Sequence, residues 1–140
     1  MPNARFLVSG LELLPAELCA LADLVTIHFP WGSLLAAAVG HSPPMTTRIV
    51  RLLRPGGRLL LLLSASPRDE RGGLSRLDPE AVAGVYRRLG MRIVACRAAT
   101  HSDLVTASSS WGKRLAASPG RQAWVIELER LPSPAGCPRV

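Results

Sequence analysis

The sequence predicts an α/β domain built on a mostly parallel sheet. Strand-like and helix-like segments alternate along the chain. Residues 58–64 form an unbroken leucine-rich run of the kind that suits a strand covered on both faces. Helix start and stop signals stand between the strands. In order, residues 5–9 read as a short apolar strand and residues 15–21 as one or two helical turns. Residues 22–29 alternate Leu24, Ile27 and Phe29 with β-branched Val25 and Thr26, a buried strand bounded by Asp23 and Pro30. Residues 33–39 are Ala/Leu-rich helix. His41-Ser42-Pro43-Pro44 breaks it and opens a second helix over 45–53, with Pro44 suited to the first turn.

Arg54-Pro55-Gly56-Gly57 reads as a tight turn that launches the leucine strand, and residues 66–77 as a polar surface loop. Asp78-Pro79-Glu80 supplies an N-cap, a proline at the first helical position and an acid in the first turn, so 79–89 is a helix stopped by Gly90. Residues 91–96 are a strand, 103–117 mixed helix and loop, and 122–130 the last strand, with Trp124 in its core pattern. The last two of these five strands form an antiparallel edge. The unit so defined covers residues 1–130, followed by a frayed tail over 131–140 with three prolines.

At 140 residues and 48% hydrophobic composition the chain is too apolar for disorder and amounts to one domain. Its longest aliphatic run falls far short of the ~18 apolar residues of a membrane helix, and Met1-Pro2-Asn3 does not open a secretory signal. Seventeen Lys and Arg against ten Asp and Glu give a net charge of +7, which suits a polyanionic partner. All but one of the seventeen are arginine, a bias that a GC-rich genome also produces. Cys19, Cys96 and Cys137 are odd in number and widely spaced, so neither a disulfide framework nor a metal site is expected, and a reducing cytoplasm is the default.

Two segments offer chemistry. His28-Phe29-Pro30-Trp31-Gly32-Ser33 lies where a buried strand gives way to a helix, the place where open α/β sheets bind ligands. Pro30 stiffens the backbone, and Trp31 offers a flat face on which a planar base can stack; the plainer reading is a ring covering the sheet edge. Ser108-Ser109-Ser110-Trp111-Gly112-Lys113-Arg114 is the second, another tryptophan among small polar residues, followed by cations that can hold phosphates. Its plainer reading is a solvated basic loop. His28, His41 and His101 fit structural histidines better than acid or base catalysts.

With a strand ending in Phe29-Pro30-Trp31, a helix, an Arg54-Pro55-Gly56-Gly57 turn and a further strand, the order of parts resembles the C-terminal portion of a class I, Rossmann-like S-adenosyl-L-methionine-dependent methyltransferase. Within that superfamily residues 22–35, 53–63 and 110–115 are most similar to the aminoglycoside-resistance 16S rRNA (adenine-N1)-methyltransferases of the kanamycin and apramycin type. The resemblance implies that Trp31 and Trp111 clamp the target adenine in the decoding site of 16S rRNA within the 30S subunit. It implies that Gly10, Leu11 and Glu12 line the adenosyl end of S-adenosyl-L-methionine. His28 and Pro30 would border its methionine end, Ser33 and Ser109 would be neighbouring polar contacts, and Lys113, Arg114 and Arg121 would grip the RNA. Adenine N1 keeps an in-plane lone pair at neutral pH, so positioning rather than a strong base is what such a site must supply.

The sequence departs from the superfamily in one respect. No two of its twelve glycines stand two residues apart, so the Gly-rich cofactor turn is missing. A seven-stranded sheet needs ~180 residues at ~30 per βαβ unit, and this chain begins at the equivalent of the third strand. The expectation is therefore an incomplete sheet lacking the first two strands: a truncated form, or one completed by a second chain, with weak cofactor binding. Two other readings stay open: a catalytically inactive basic RNA-binding module, and an unrelated nucleotide-binding α/β protein.

Overall fold

A computed structural model describes residues 3–64, 77–116 and 122–132. Four strands form one sheet: β1 (Ala22–His28), β2 (Leu53–Leu63), β3 (Met91–Ala98) and β4 (Trp124–Arg130), in the order β1-β2-β4-β3. β1 and β2 pair in parallel, while β4 runs antiparallel to both β2 and β3. β1, β2 and β3 therefore point the same way, and the antiparallel C-terminal edge is formed by inserting β4 between β2 and β3.

Helices α1 (Gly32–Ala38), α2 (Pro43–Leu52) and α3 (Pro79–Arg88) pack against the same face of the sheet. Leu59, Leu61 and Leu63 of β2 and Ile126 and Leu128 of β4 are fully buried there. Tyr86 of α3 is fully buried, and its hydroxyl donates to the carbonyl of Ala38 at 2.8 Å, tying α3 to α1. Thr46 of α2 does the same to Ala37 at 2.6 Å. On the opposite face Leu62 is buried but Leu60 only half-buried, so the leucine strand is covered on both sides only toward its C-terminal end. Trp124 is likewise half-buried rather than core.

Local signals explain the helix ends. Asp78 caps α3 by accepting from the Glu80 and Ala81 N–H groups at 3.1 and 3.3 Å, and Gly90 follows with φ +84°. The Arg54 to Gly57 segment is not a free-standing turn. It is an irregularity inside β2, where the pairing slips between Ala22↔Leu53 and Leu24↔Arg58 with Gly56 at φ +80°, and where Arg54 pairs with Asp23.

The expected strand over residues 5–9 does not form. Phe6 and Val8 are 97% and 102% exposed, and the segment joins no sheet. A strand is held by a neighbour's ladder, and among the described residues none lies beside it. The N–H of Phe29 donates to Leu62 at 2.8 Å, so by strand alternation the main-chain groups of Leu24, Thr26 and His28 face the open edge of β1. The helical turns expected over 15–21 reduce to one 3-10 turn, Ala16–Leu18, and a second, Leu11–Leu13, forms before them where none was expected. Cys96 is a free thiol. Leu131 is still tied to Gly90 through its N–H at 3.0 Å, and residues 133–140 of the expected tail lie outside the described residues, as do 65–76 of the expected loop.

Candidate functional site

The site lies at the C-terminal end of β1. His28, its last residue, is half-buried opposite Leu62. Phe29 then takes φ +49°, a left-handed conformation uncommon for a large side chain, and packs with Leu104, Ala99 and Ala123. Pro30 is buried, which anchors the turn, and Trp31 is the N-cap of α1. Its carbonyl starts that helix while its ring is 80% exposed, so the side chain stands in solvent on a rigid base. An indole left out of the core at a fixed strand-to-helix junction is what a stacking platform requires, and the sheet-covering reading of Trp31 fails on that exposure.

Residues 101–116 form two short helices, α4 (His101–Thr106) and α5 (Ser110–Ala116). Thr100 and Asp103 make a reciprocal capping box at the start of α4, and Arg97 of β3 donates to both oxygens of Asp103 at 2.6 and 3.0 Å. Arg97 holds the Asp103 carboxyl well below the usual carboxylate range. Leu104 of α4 belongs to the same apolar cluster as Phe29, so α4 and the Trp31 turn share one anchor. Ser108 adopts φ +52° and Ser109 then caps α5, its hydroxyl accepting from Gly112 N–H at 2.8 Å. α4 and α5 pack directly on each other.

The two segments singled out in the sequence thus both border α4, the first through Phe29 on Leu104 and the second through the packing of α5. Lys113 and Arg114 are exposed in the last turn of α5, where the helix dipole favours cations. Trp111 lies in α5, but its side chain is outside the described residues, as is all of Arg121. Ser33 is exposed in the first turn of α1, and the Ser109 hydroxyl is engaged in its cap. Gly10 precedes the first 3-10 turn, Leu11 packs against the core beside α2, and Glu12 is exposed.

Sequence reasoning missed the cluster of Phe29, Ala99, Leu104 and Ala123, because its members come from distant parts of the chain that only folding brings together. The one available signal for α4 was Thr100 followed three residues later by Asp103.

The described residues do not make a full cradle for a nucleoside cofactor. No glycine turn follows a strand end at close range, and no buried side-chain polar atom among them is left without a partner that a ligand would satisfy. A shallow cavity of about 200 Å³ lies instead between α2 and α3, lined by Gly40, Pro43, Thr46, Val85, Arg88 and Leu89. Among the described residues no cluster of His, Cys, Asp or Glu fits a metal, and no helix is long and apolar enough to cross a membrane.

A mixed sheet with helices on one face, and an exposed aromatic where β1 gives way to α1, defines a Rossmann-like methyltransferase fold. Solved structures agree. The antibiotic-resistance methyltransferase Kmr superposes with TM-score 0.69 and 33% identity over 94% of this chain and 63% of its own. A tryptophan-to-alanine variant of the 16S rRNA (adenine(1408)-N(1))-methyltransferase from Catenulisporales acidiphilia, with cosubstrate SAM, gives TM-score 0.71 and 26% identity over 92% and 62%.

Residues 1–130 match the family model NpmA, 16S rRNA (adenine(1408)-N(1))-methyltransferase, and the chain belongs to that family. A relative of the same description from Streptoalloteichus hindustanus is 30% identical over 129 residues, covering 86% of this chain. The chain spans 59% of that relative's length.

Proposed function

We propose that the chain serves N1 methylation of an adenine in the decoding site of 16S rRNA, acting in the cytoplasm on the 30S subunit, with S-adenosyl-L-methionine as methyl donor and aminoglycoside resistance as the outcome. Trp31 carries the reading: a solvent-facing indole at a strand-to-helix turn that shares the Leu104 anchor with α4, against which packs the helix that bears Trp111, Lys113 and Arg114. Family membership supplies the substrate class.

The chain's own part is capture of the base. An adenine turned out of its helix loses stacking worth a few kcal/mol, and stacking on Trp31, with Trp111 as the second plate, offsets part of that. Lys113 and Arg114 hold the flanking phosphates and fix the register. N1 then presents its lone pair without a general base, so positioning is what the site supplies. Glu12, Ser33 and the backbone of His28 and Pro30 are the residues proposed to border the methyl donor. They fit only part of it, so no step is assigned to the cofactor. That partial fit favours a second reading, in which the described chain recognises RNA without supporting turnover by itself.

Chemical probing of 30S subunits tests the proposal. Dimethyl sulfate attacks adenine N1, and the bound chain is expected to protect the target adenine, with reactivity restored by Trp31→Ala. Protection confined to other regions of 16S rRNA, or none, overturns it.

A further inference from the structure

The Trp31 turn and the basic turn of α5 come from distant parts of the chain, yet base capture needs their spacing held to within a fraction of the thickness of a base. We infer that Gly112 is the positioning residue that sets this spacing. The inference rests on the base-capture reading above and adds the device that makes it geometrically possible.

Gly112 is buried, although Lys113 and Arg114 beside it are exposed. A Cβ at this position would fall well inside van der Waals contact of the Leu104 carbonyl oxygen and 3.1 Å from the Ser109 hydroxyl oxygen. Neither atom can retreat freely. The Leu104 carbonyl is main chain in α4, which is fixed by the Arg97 to Asp103 pair and the Thr100 capping box. The Ser109 hydroxyl is held by the Gly112 N–H itself at 2.8 Å, and the Ser109 carbonyl by the Lys113 N–H at 3.1 Å. Leu104 in turn packs with Phe29, two residues before Trp31.

A continuous path of contact therefore runs from the Trp31 turn through Phe29 and Leu104 to Gly112 and α5. Since α4 is pinned on its far side, a side chain at 112 displaces α5 and moves the second half of the clamp away from the first. Gly84, inside α3, is the natural control: a Cβ there meets nothing closer than Arg88 Nη1 at 3.8 Å.

The test uses the full chain and two decoding-site RNA hairpins, one intact and one abasic at the target adenine, with affinities measured for each variant alongside thermal melting. The ratio of the two affinities isolates what the base itself contributes. Trp31→Ala is expected to shift that ratio toward the abasic hairpin by about tenfold, the scale of one stacking contact. Gly112→Ala should shift it in the same direction by a similar factor, whatever it does to the phosphate contacts that both hairpins share. Gly84→Ala should leave the ratio unchanged.

An unshifted ratio in Gly112→Ala, with Trp31→Ala shifted, overturns the positioning role. An unshifted ratio in Trp31→Ala overturns the base-capture reading instead. If Gly112→Ala loses its melting transition, Ser109→Ala takes its place: it cuts the tie to Gly112 without adding atoms, must also shift the ratio, and contradicts the inference if it does not.

Discussion

Trp31, proposed to hold the base, should be costly to lose for RNA capture and cheap to lose for stability. Its ring makes little contact with the core, so Trp31→Ala should change unfolding free energy by no more than about 0.5 kcal/mol, which urea denaturation will measure. Tyr86 is the opposite case. Fully buried and bonded to Ala38, it should cost about 1–2 kcal/mol as Tyr86→Phe, and burial holds its hydroxyl protonated far above neutral pH. Lys113→Ala should lower the slope of log affinity against log salt by about 1 for RNA binding, through loss of one phosphate contact. At this scale the sequence was informative about Trp31, because a tryptophan between proline and glycine belongs to no apolar period. It was silent on the left-handed backbones of Phe29, which packs against Leu104 and Ala123 from elsewhere in the chain, and of Ser108, exposed between two short helices.

Among the elements, those with their own punctuation formed as expected. α3 begins and ends at its cap residues, and Asp78→Ala should destabilise the protein by about 1 kcal/mol in thermal or urea melts. α4 gives a pH signature. Asp103 is held ionised by Arg97 and Thr100, so its folded proton affinity is lower than in the unfolded chain. Its contribution is complete above the ordinary carboxylate range, about pH 4, and is lost as pH falls through the lower folded value. Asp103→Asn should therefore flatten the acid limb of stability, seen as a smaller drop in urea midpoint between neutral and acidic pH. Residues 5–9 had the composition of a strand and failed to become one, because strand formation depends on a neighbour that composition does not reveal. The Arg54 to Gly57 segment was read as a turn for a related reason: the pairing of Leu53 and Arg58 with β1 on either side of it, which the local sequence does not show, makes it a bulge within β2.

For the whole molecule, the α/β class and the antiparallel edge were visible in the order of segments, but the number of strands was not. β1 stands at the edge of the sheet, as expected of a sheet that lacks the two strands before it, with Leu24 57% exposed. The candidate site was half visible: the residues proposed to hold the base stand in short motifs, whereas the apolar cluster that anchors the Trp31 turn to α4 is assembled only by folding. The same structure predicts a weak hold on the methyl donor. Calorimetry of this chain with S-adenosyl-L-methionine should give no micromolar binding, and a micromolar dissociation constant would contradict the fit described above. The most direct test of the central claim is equilibrium binding of the native chain and of Trp31→Ala to 30S subunits at one fixed salt concentration. A loss of about 5- to 150-fold, the range for one base-stacking contact, is predicted. Equal affinities would mean that the exposed indole does not hold the adenine.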